Sequence, residues 1–274
     1  MRRLLLVAMI VGAAQSAYAA DMPDLPILRG SLPEGVSSAR PMWQGYYVGG
    51  QAGVGESDMN FTGATRSIAA KLLTNTAIEN SGSVSSWPIG SKTSNRGDGW
   101  GAFIGYNSQW DDVVLGVEAS YMHGKFGGSQ TDSMSRFFTD SNGYTDGVTY
   151  AGTGTVALSD MGTLRLRAGY AIGSFLPYLF GGVALGQADI IRTAHIYGTQ
   201  VNAAAAPGFQ NVPFDLSATD VQHSHLLYGY TAGVGVDVML IAGLFLRAEY
   251  QYARFTSSVD TDVNTVHVGL GYKF

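Results

Sequence analysis

Eight ionisable residues recur at alternate positions inside stretches that are otherwise small or apolar: Glu118, Arg165, Arg167, Asp237, Arg247, Glu249, His267 and Lys273. In the run LRLRAGY (164–170), Leu164, Leu166, Ala168 and Tyr170 fall on one parity and Arg165 and Arg167 on the other. A two-residue period places such charges on one face of an extended strand, with the apolar residues on the opposite face. The chemistry open to this set is ion pairing. A charge taken out of water is costly unless it is paired and hydrogen-bonded. Glu118 or Glu249 is therefore expected to pair with Arg165, Arg167 or Arg247, forming a structural plug. The alternative for the same residues is a narrow or gated ion path.

A second set is His195, Tyr197, His223 and His225. Imidazole and phenolate both ligate haem iron, and His223 and His225 share a face if the chain there is extended. Haem or metal ligation is one reading of this set; ordinary surface residues is the other. His123 stands on an apolar parity, where a lipid-acting enzyme would need a Ser or acid within about 3 Å. No such partner at a matching height is evident from spacing. The remaining motifs for chemistry are absent: there is no GxxxxGK[ST], no HExxH and no CxxC. The GGQAGVG run (49–55) has the glycines of a nucleotide loop but lies in a strand with no helix after it. Its glycines are better explained by room for bulky neighbours.

The elements that must position these groups read as strands. Alternation predicts them at 45–55, 99–110, 113–123, 161–171, 176–186, 227–238, 244–255 and 263–274. The last, VNTVHVGLGYKF, sets Val266, Val268, Leu270, Tyr272 and Phe274 against Thr265, His267, Gly269, Gly271 and Lys273. The connections 56–98, 124–160 and 187–226 are long and polar; those at 111–112, 172–175 and 239–243 are short, and 256–262 is intermediate. Antiparallel strands then gather the long loops on one side and the tight turns on the other. The outward aromatics fall at two heights. Trp100, Tyr121, Tyr228, Tyr230, Tyr250 and Tyr252 lie toward the loops; Tyr106, Tyr170, Tyr272 and Phe274 lie toward the turns. Aromatic rings prefer both membrane interfaces.

Composition agrees. The chain is 46% hydrophobic and only 14% charged, with 37 glycines, yet no run beyond residue 20 approaches the ~20 apolar residues of a spanning helix. Residues 1–20 read as a Sec signal: Arg2 and Arg3, an apolar run at 4–14, and small residues before cleavage after Ala19 or Ala20. Removing those two arginines takes the formal charge from -5 to -7, which argues against nucleic-acid binding. With no cysteine, neither a disulfide framework nor a lipid-anchored cysteine is expected. Residues 21–44 hold Pro23, Pro26, Pro33 and Pro41 and read as a periplasmic lead-in; residues 45–274 read as the barrel. The fold class expected is all-β: an eight-stranded antiparallel transmembrane barrel with extracellular loops and periplasmic turns.

Four stretches, GYYVGGQAGVG, GTLRLRAGYA, LPYLFGGVALG and the closing GLGYKF, together resemble the small outer-membrane β-barrel family of alphaproteobacteria. That family holds OmpA-like, porin-family surface antigens and haemin-binding members. The resemblance implies an outer-membrane barrel of a Gram-negative bacterium that supports envelope integrity and meets host or envelope partners through its loops. It implies contact with outer-membrane lipid and lipopolysaccharide. It also implies an assembly signal at Tyr272 and Phe274 read by the barrel-assembly machinery. With no sequence following the closing strand, a peptidoglycan-anchoring domain of the OmpA type is not expected. Haem is the one cofactor the resemblance raises, through His195, Tyr197, His223 and His225. The alternatives to a non-enzymatic barrel are a haem binder or small-solute channel and, less favoured, a lipid-modifying enzyme.

Overall fold

Each alternating stretch forms a strand, and each strand finds a hydrogen-bonding neighbour on both sides. The computed structural model describes residues 42–274 apart from residue 258; the signal over 1–20 and residues 21–41 of the lead-in lie outside the described residues. The strands are β1 (Gly45–Asn60), β2 (Lys92–Trp110), β3 (Val113–Thr139), β4 (Thr145–Tyr170), β5 (Phe175–Val201), β6 (Asn211–Ile241), β7 (Leu244–Thr256) and β8 (Asp260–Lys273). They close into an antiparallel barrel in chain order, β8 pairing β1 from Tyr47↔Lys273 to Asn60↔Asp260. In the section where all eight strands pair, closure leaves no edge, which is what a hydrocarbon surround requires. The turns between β2 and β3 and between β6 and β7 are two residues long. In the second, Ala242 and Gly243 both take positive φ (45° and 91°), the geometry a tight hairpin needs.

The outward faces are apolar. Leu164, Leu166, Leu179, Val183, Val266, Val268 and Leu270 are all exposed, between Trp100, Tyr121 and Tyr228 on one side and Tyr46, Tyr170 and Tyr272 on the other. Among the described residues no helix is long and apolar enough to cross a membrane; the crossing is made by strands.

The strands run far beyond the lengths read from the sequence, and two of the long loops are corrected. Pairing of β2 with β3 stops at Gly99↔Gly124 and of β6 with β7 at Tyr228↔Thr256. Pairing of β3, β4, β5 and β6 with one another continues to Thr139↔Thr145, Thr145↔Val201 and Val201↔Asn211. Residues 124–160 and 187–226 are therefore mostly a four-stranded wall, rising about 50 Å at ~3.3 Å per residue. The physical reason is a change of solvent. Within the membrane the apolar parity must face out; above it, the apolar parity must face in. In β4 the even residues Leu164 and Leu166 face lipid, whereas Val148, Tyr150, Val156 and Leu158, also even, are buried. The register shift between Leu158 and Asp160 makes the exchange, since one extra residue in a strand swaps its faces. A corresponding shift sits in β6 opposite Ala188 and Ile190.

The first long loop is also corrected. Residues 61–91 carry helices α1 (Arg66–Leu72) and α2 (Ala77–Gly82) and a 3-10 turn at Val84–Ser86. Ile68, Ala69, Leu73, Ile78, Val84, Trp87 and Ile89 are buried in one cluster with Val148, Tyr150, Ala194 and Ile196 of the wall. The insert is thus folded onto the inner face of the wall. Thr65 Oγ1 lies 2.8 Å from Tyr150 Oη, Arg192 donates to the Ala64 carbonyl at 3.1 Å, and the Gly90 N–H donates to Asp132 at 3.0 Å.

Candidate functional site

The inner face of β7 shows the lumen in layers: Phe245 toward the turns, then Arg247 and Glu249, Gln251, Ala253 and, toward the wall, Phe255. The neighbouring strands repeat the order. An aromatic layer of Trp43, Tyr47, Phe103, Tyr178, Phe180 and Phe245 closes the turn side. An apolar cluster including Met59, Met122, Phe126, Leu158, Ile190 and Phe255 closes the other. Glycines make the space. A Cβ on Gly49 would stand 2.2 Å from the Phe103 ring and one on Gly271 2.3 Å from the Phe245 ring.

Between the layers lie three arginines and three carboxylates, all buried. Glu118 is the hub. It accepts from Arg165 Nε at 2.9 Å, Arg167 Nη1 at 3.1 Å, Arg247 Nη1 at 2.9 Å and the Tyr47 hydroxyl at 2.7 Å. Arg247 grips Asp237 through Nε at 2.9 Å and Nη2 at 3.1 Å, and Arg167 donates to the same carboxylate at 2.6 Å. Arg165 donates to Glu249 at 2.5 and 3.0 Å, and the Tyr178 hydroxyl adds a bond at 2.8 Å. Guanidiniums also stack on rings, Arg167 over Tyr178 at 3.8 Å and Arg247 over Phe103 at 3.9 Å. The formal charges cancel, which is the condition for burying such a group.

Two residues assigned to this network from parity lie outside it. His267 faces the lumen beside Glu249 in register, but its Nε2 bonds Thr265 at 2.7 Å. Lys273 is at the turn-side rim, where its ammonium donates to the Gln44 carbonyl at 3.0 Å. Lys273 is too far along β8 for the carboxylates to reach, whereas His267 stands level with Glu249 and directs its Nε2 to Thr265 instead. Conversely, the sequence reading missed the phenols of Tyr47 and Tyr178. Each is the polar group on an inward parity, which is the signal that could have found them.

The histidine set is not brought together. His195 and Tyr197 lie on the outer face of β5, ring centroids 4.6 Å apart, with His195 bonded to Asp215 at 2.8 Å. His223 sits at the β6 bulge, 3.6 Å from Asp189, and His225 is paired with Ala188. Seven residues of β5 separate Ala188 from His195, about 23 Å. Among the described residues no three His, Cys, Asp or Glu side chains converge on a metal-sized point. His123 does find an acid that spacing had hidden: its Nδ1 is 2.9 Å from Asp160. Ser159 donates to the other oxygen of Asp160 at 2.6 Å, so the serine is on the acid and not on the imidazole. Tyr272 and Phe274 project outward with their rings 5.2 Å apart, edge to face.

A family model described as the outer membrane protein beta-barrel domain matches residues 4–274. The 25 kDa outer-membrane immunogenic protein of Brucella ovis is 29% identical over 179 residues, which is 65% of this chain and 65% of that protein's own length. The 22 kDa outer membrane protein of Rhizobium leguminosarum is 26% identical, over 68% of this chain and 71% of its own. Among solved structures, the attachment invasion locus protein of Yersinia pestis aligns at 14% identity and a TM-score of 0.35, covering 84% of this chain and 99% of that one.

Proposed function

Because the chain belongs to the outer membrane protein beta-barrel family, we propose that it serves the Gram-negative outer membrane as a non-enzymatic, sealed barrel that presents an extracellular sheet to partners and supports the envelope. The observation that carries this reading is the division of labour along the strands. The membrane section is filled by its own side chains, so it has little to offer a solute. The section above it is large, built on a separate core, and faces outward. An eight-stranded barrel is only wide enough inside for its own side chains, so partners must be met from the wall and the insert. The Brucella relative is named as an immunogen, which fits a sheet standing clear of the membrane.

The other readings have less behind them. Haem binding rests on the His195–Tyr197 ring pair alone. Lipid hydrolysis would rest on His123 and Asp160 without a nucleophile bonded to the imidazole.

The experiment is to shorten β3–β4 and β5–β6 to tight hairpins at the bulge row and express the chain in a null strain. The barrel is expected to insert and keep its heat-modifiable migration. Antibody and cell-surface binding should be lost while detergent resistance of the envelope is retained. Surface binding that survives the truncation would overturn the assignment of recognition to the wall. Detergent sensitivity with the full-length chain present at normal levels would overturn the envelope role.

A further inference from the structure

The wall ends in two buried acids. Asp140 opens the turn between β3 and β4, and Asp146 is the second residue of β4. Asp146 stands in one row with Phe138 of β3 and Gln200 of β5, on the inner parity of Val148 and Tyr150. None of the Asp146 surface reaches solvent, and only 6% of Asp140 does. Asp146 lies about 40 Å beyond Leu158 along β4, so the pair belongs to the outer section and not to the membrane.

The two acids are short of donors. Asp140 Oδ1 accepts the N–H groups of Asn142 at 2.8 Å and Tyr144 at 2.9 Å, which shape the turn. Asp140 Oδ2 is approached by the Gln200 side-chain nitrogen at 3.5 Å, beyond good hydrogen-bond length. The same nitrogen donates to Asp146 Oδ1 at 2.8 Å. Asp146 Oδ2 is buried and has no partner among the described residues. One amide nitrogen therefore stands between two carboxylates, in the place of a cation. The charged groups on the neighbouring elements are turned elsewhere: Arg136 of β3 stacks over Trp87 at 5.2 Å, and Glu79 of α2 accepts from the Ser85 N–H at 3.0 Å. Burial, and after it the Asp140 charge, raise the Asp146 carboxyl above its ordinary value. Buried carboxylates are costly without a counter-charge, and an orphaned buried oxygen is rare in a folded chain.

We propose that Asp140 and Asp146 bind a divalent metal cation, calcium in preference to magnesium, through the Oδ2 atoms that lack good donors. One such ion cancels the formal charge of both acids. Turning the Gln200 amide exchanges its donor for an acceptor oxygen, which becomes a third ligand, and water completes the set. Calcium accepts irregular sets of carboxylate, amide and water oxygens, whereas magnesium demands near-octahedral geometry and gives up its waters reluctantly. The ion fastens the β3–β4 turn to β5. It reaches the insert as well, because the Ser141 N–H donates to Ser81 Oγ of α2 at 3.2 Å. The site is separate from the lumen network and from the histidine set, and it does not depend on what the wall recognises.

The test uses the refolded full chain in a non-ionic detergent, stripped of metal with EDTA. Amide hydrogen exchange over 138–147 is followed at neutral pH as calcium chloride or magnesium chloride is added. Calcium is expected to slow exchange of the Asn142 and Tyr144 amides about tenfold or more, with half-saturation at about 0.1–1 mM, the range of extracellular calcium sites. Magnesium is expected to need about tenfold more. Asp146→Asn, which keeps the shape of the side chain, is expected to lose the calcium response. Without metal the variant should exchange more slowly than wild type, because the unpaired charge is gone. Asp215→Asn, on the outer face of the same wall, keeps the half-saturation within about twofold. No slowing of wild-type exchange by calcium overturns the site and needs no variant to be read. Protection gained on acidifying the metal-free chain, and not on adding calcium, overturns it in favour of a proton on the pair. A calcium response that survives Asp146→Asn overturns the assignment of the carboxylates, and equal potency of magnesium overturns the preference for calcium.

Discussion

Arg247 bonds carboxylates from two other strands, Glu118 of β3 and Asp237 of β6, and none of its surface reaches solvent. Replacing it by leucine leaves two acids short of a partner in a dry interior. Arg247→Leu is expected to cost about 3–5 kcal/mol, the usual penalty for breaking a buried pair from one side. The readout is the urea midpoint of the refolded barrel followed by heat-modifiable migration. Lys273→Ala, a rim residue outside the network, should shift the same midpoint by no more than about 0.5 kcal/mol. Above the membrane, burial beneath the insert raises the Tyr150 phenol from its ordinary value of 10.0. The unfolded phenol then ionises first. Tyr150 contributes its stability fully below about pH 10, and that contribution fades as pH rises further. Tyr150→Phe should flatten the alkaline loss, at a cost of about 1 kcal/mol at neutral pH for the bond to Thr65. Hydrogen exchange of the insert against pH measures both.

At the scale of elements, the bulge in β4 decides which face is core. Deleting Ser159 forces one register through the strand, so either Leu164 or Tyr150 must face the wrong solvent. Amide protection is expected to collapse over 145–158 and to persist over 161–170. The membrane strands were legible in the sequence because lipid demands apolar residues on one parity and the narrow lumen demands small or paired ones on the other. The wall was not legible, because Phe126, Met134, Phe138, Val148, Tyr150 and Val156 are diluted by Ser, Thr and Gly on a face that meets water. The insert left a clearer mark. Ile68, Ala69, Leu72 and Leu73 have helical spacing, but they stand within a 43-residue polar stretch (56–98) whose composition obscures them. In the site, parity located the three arginines and three carboxylates. It could not tell that Lys273, on the same face of β8, sits at another height, or that His267, level with Glu249, bonds Thr265 instead.

For the whole molecule, the account is a barrel filled in the membrane and built up outside it. The lumen has an aromatic layer, a charge-neutral layer and an apolar layer in series, and the insert covers the inner face of the wall above them. In a sealed barrel, as proposed, the two apolar layers are the barrier to water and ions. Single-channel recording of the purified full-length chain in planar lipid bilayers tests this most directly. The account predicts no long-lived open steps above the leak of the bare membrane, at either polarity. Uniform, long-lived steps of large conductance would contradict the sealed lumen.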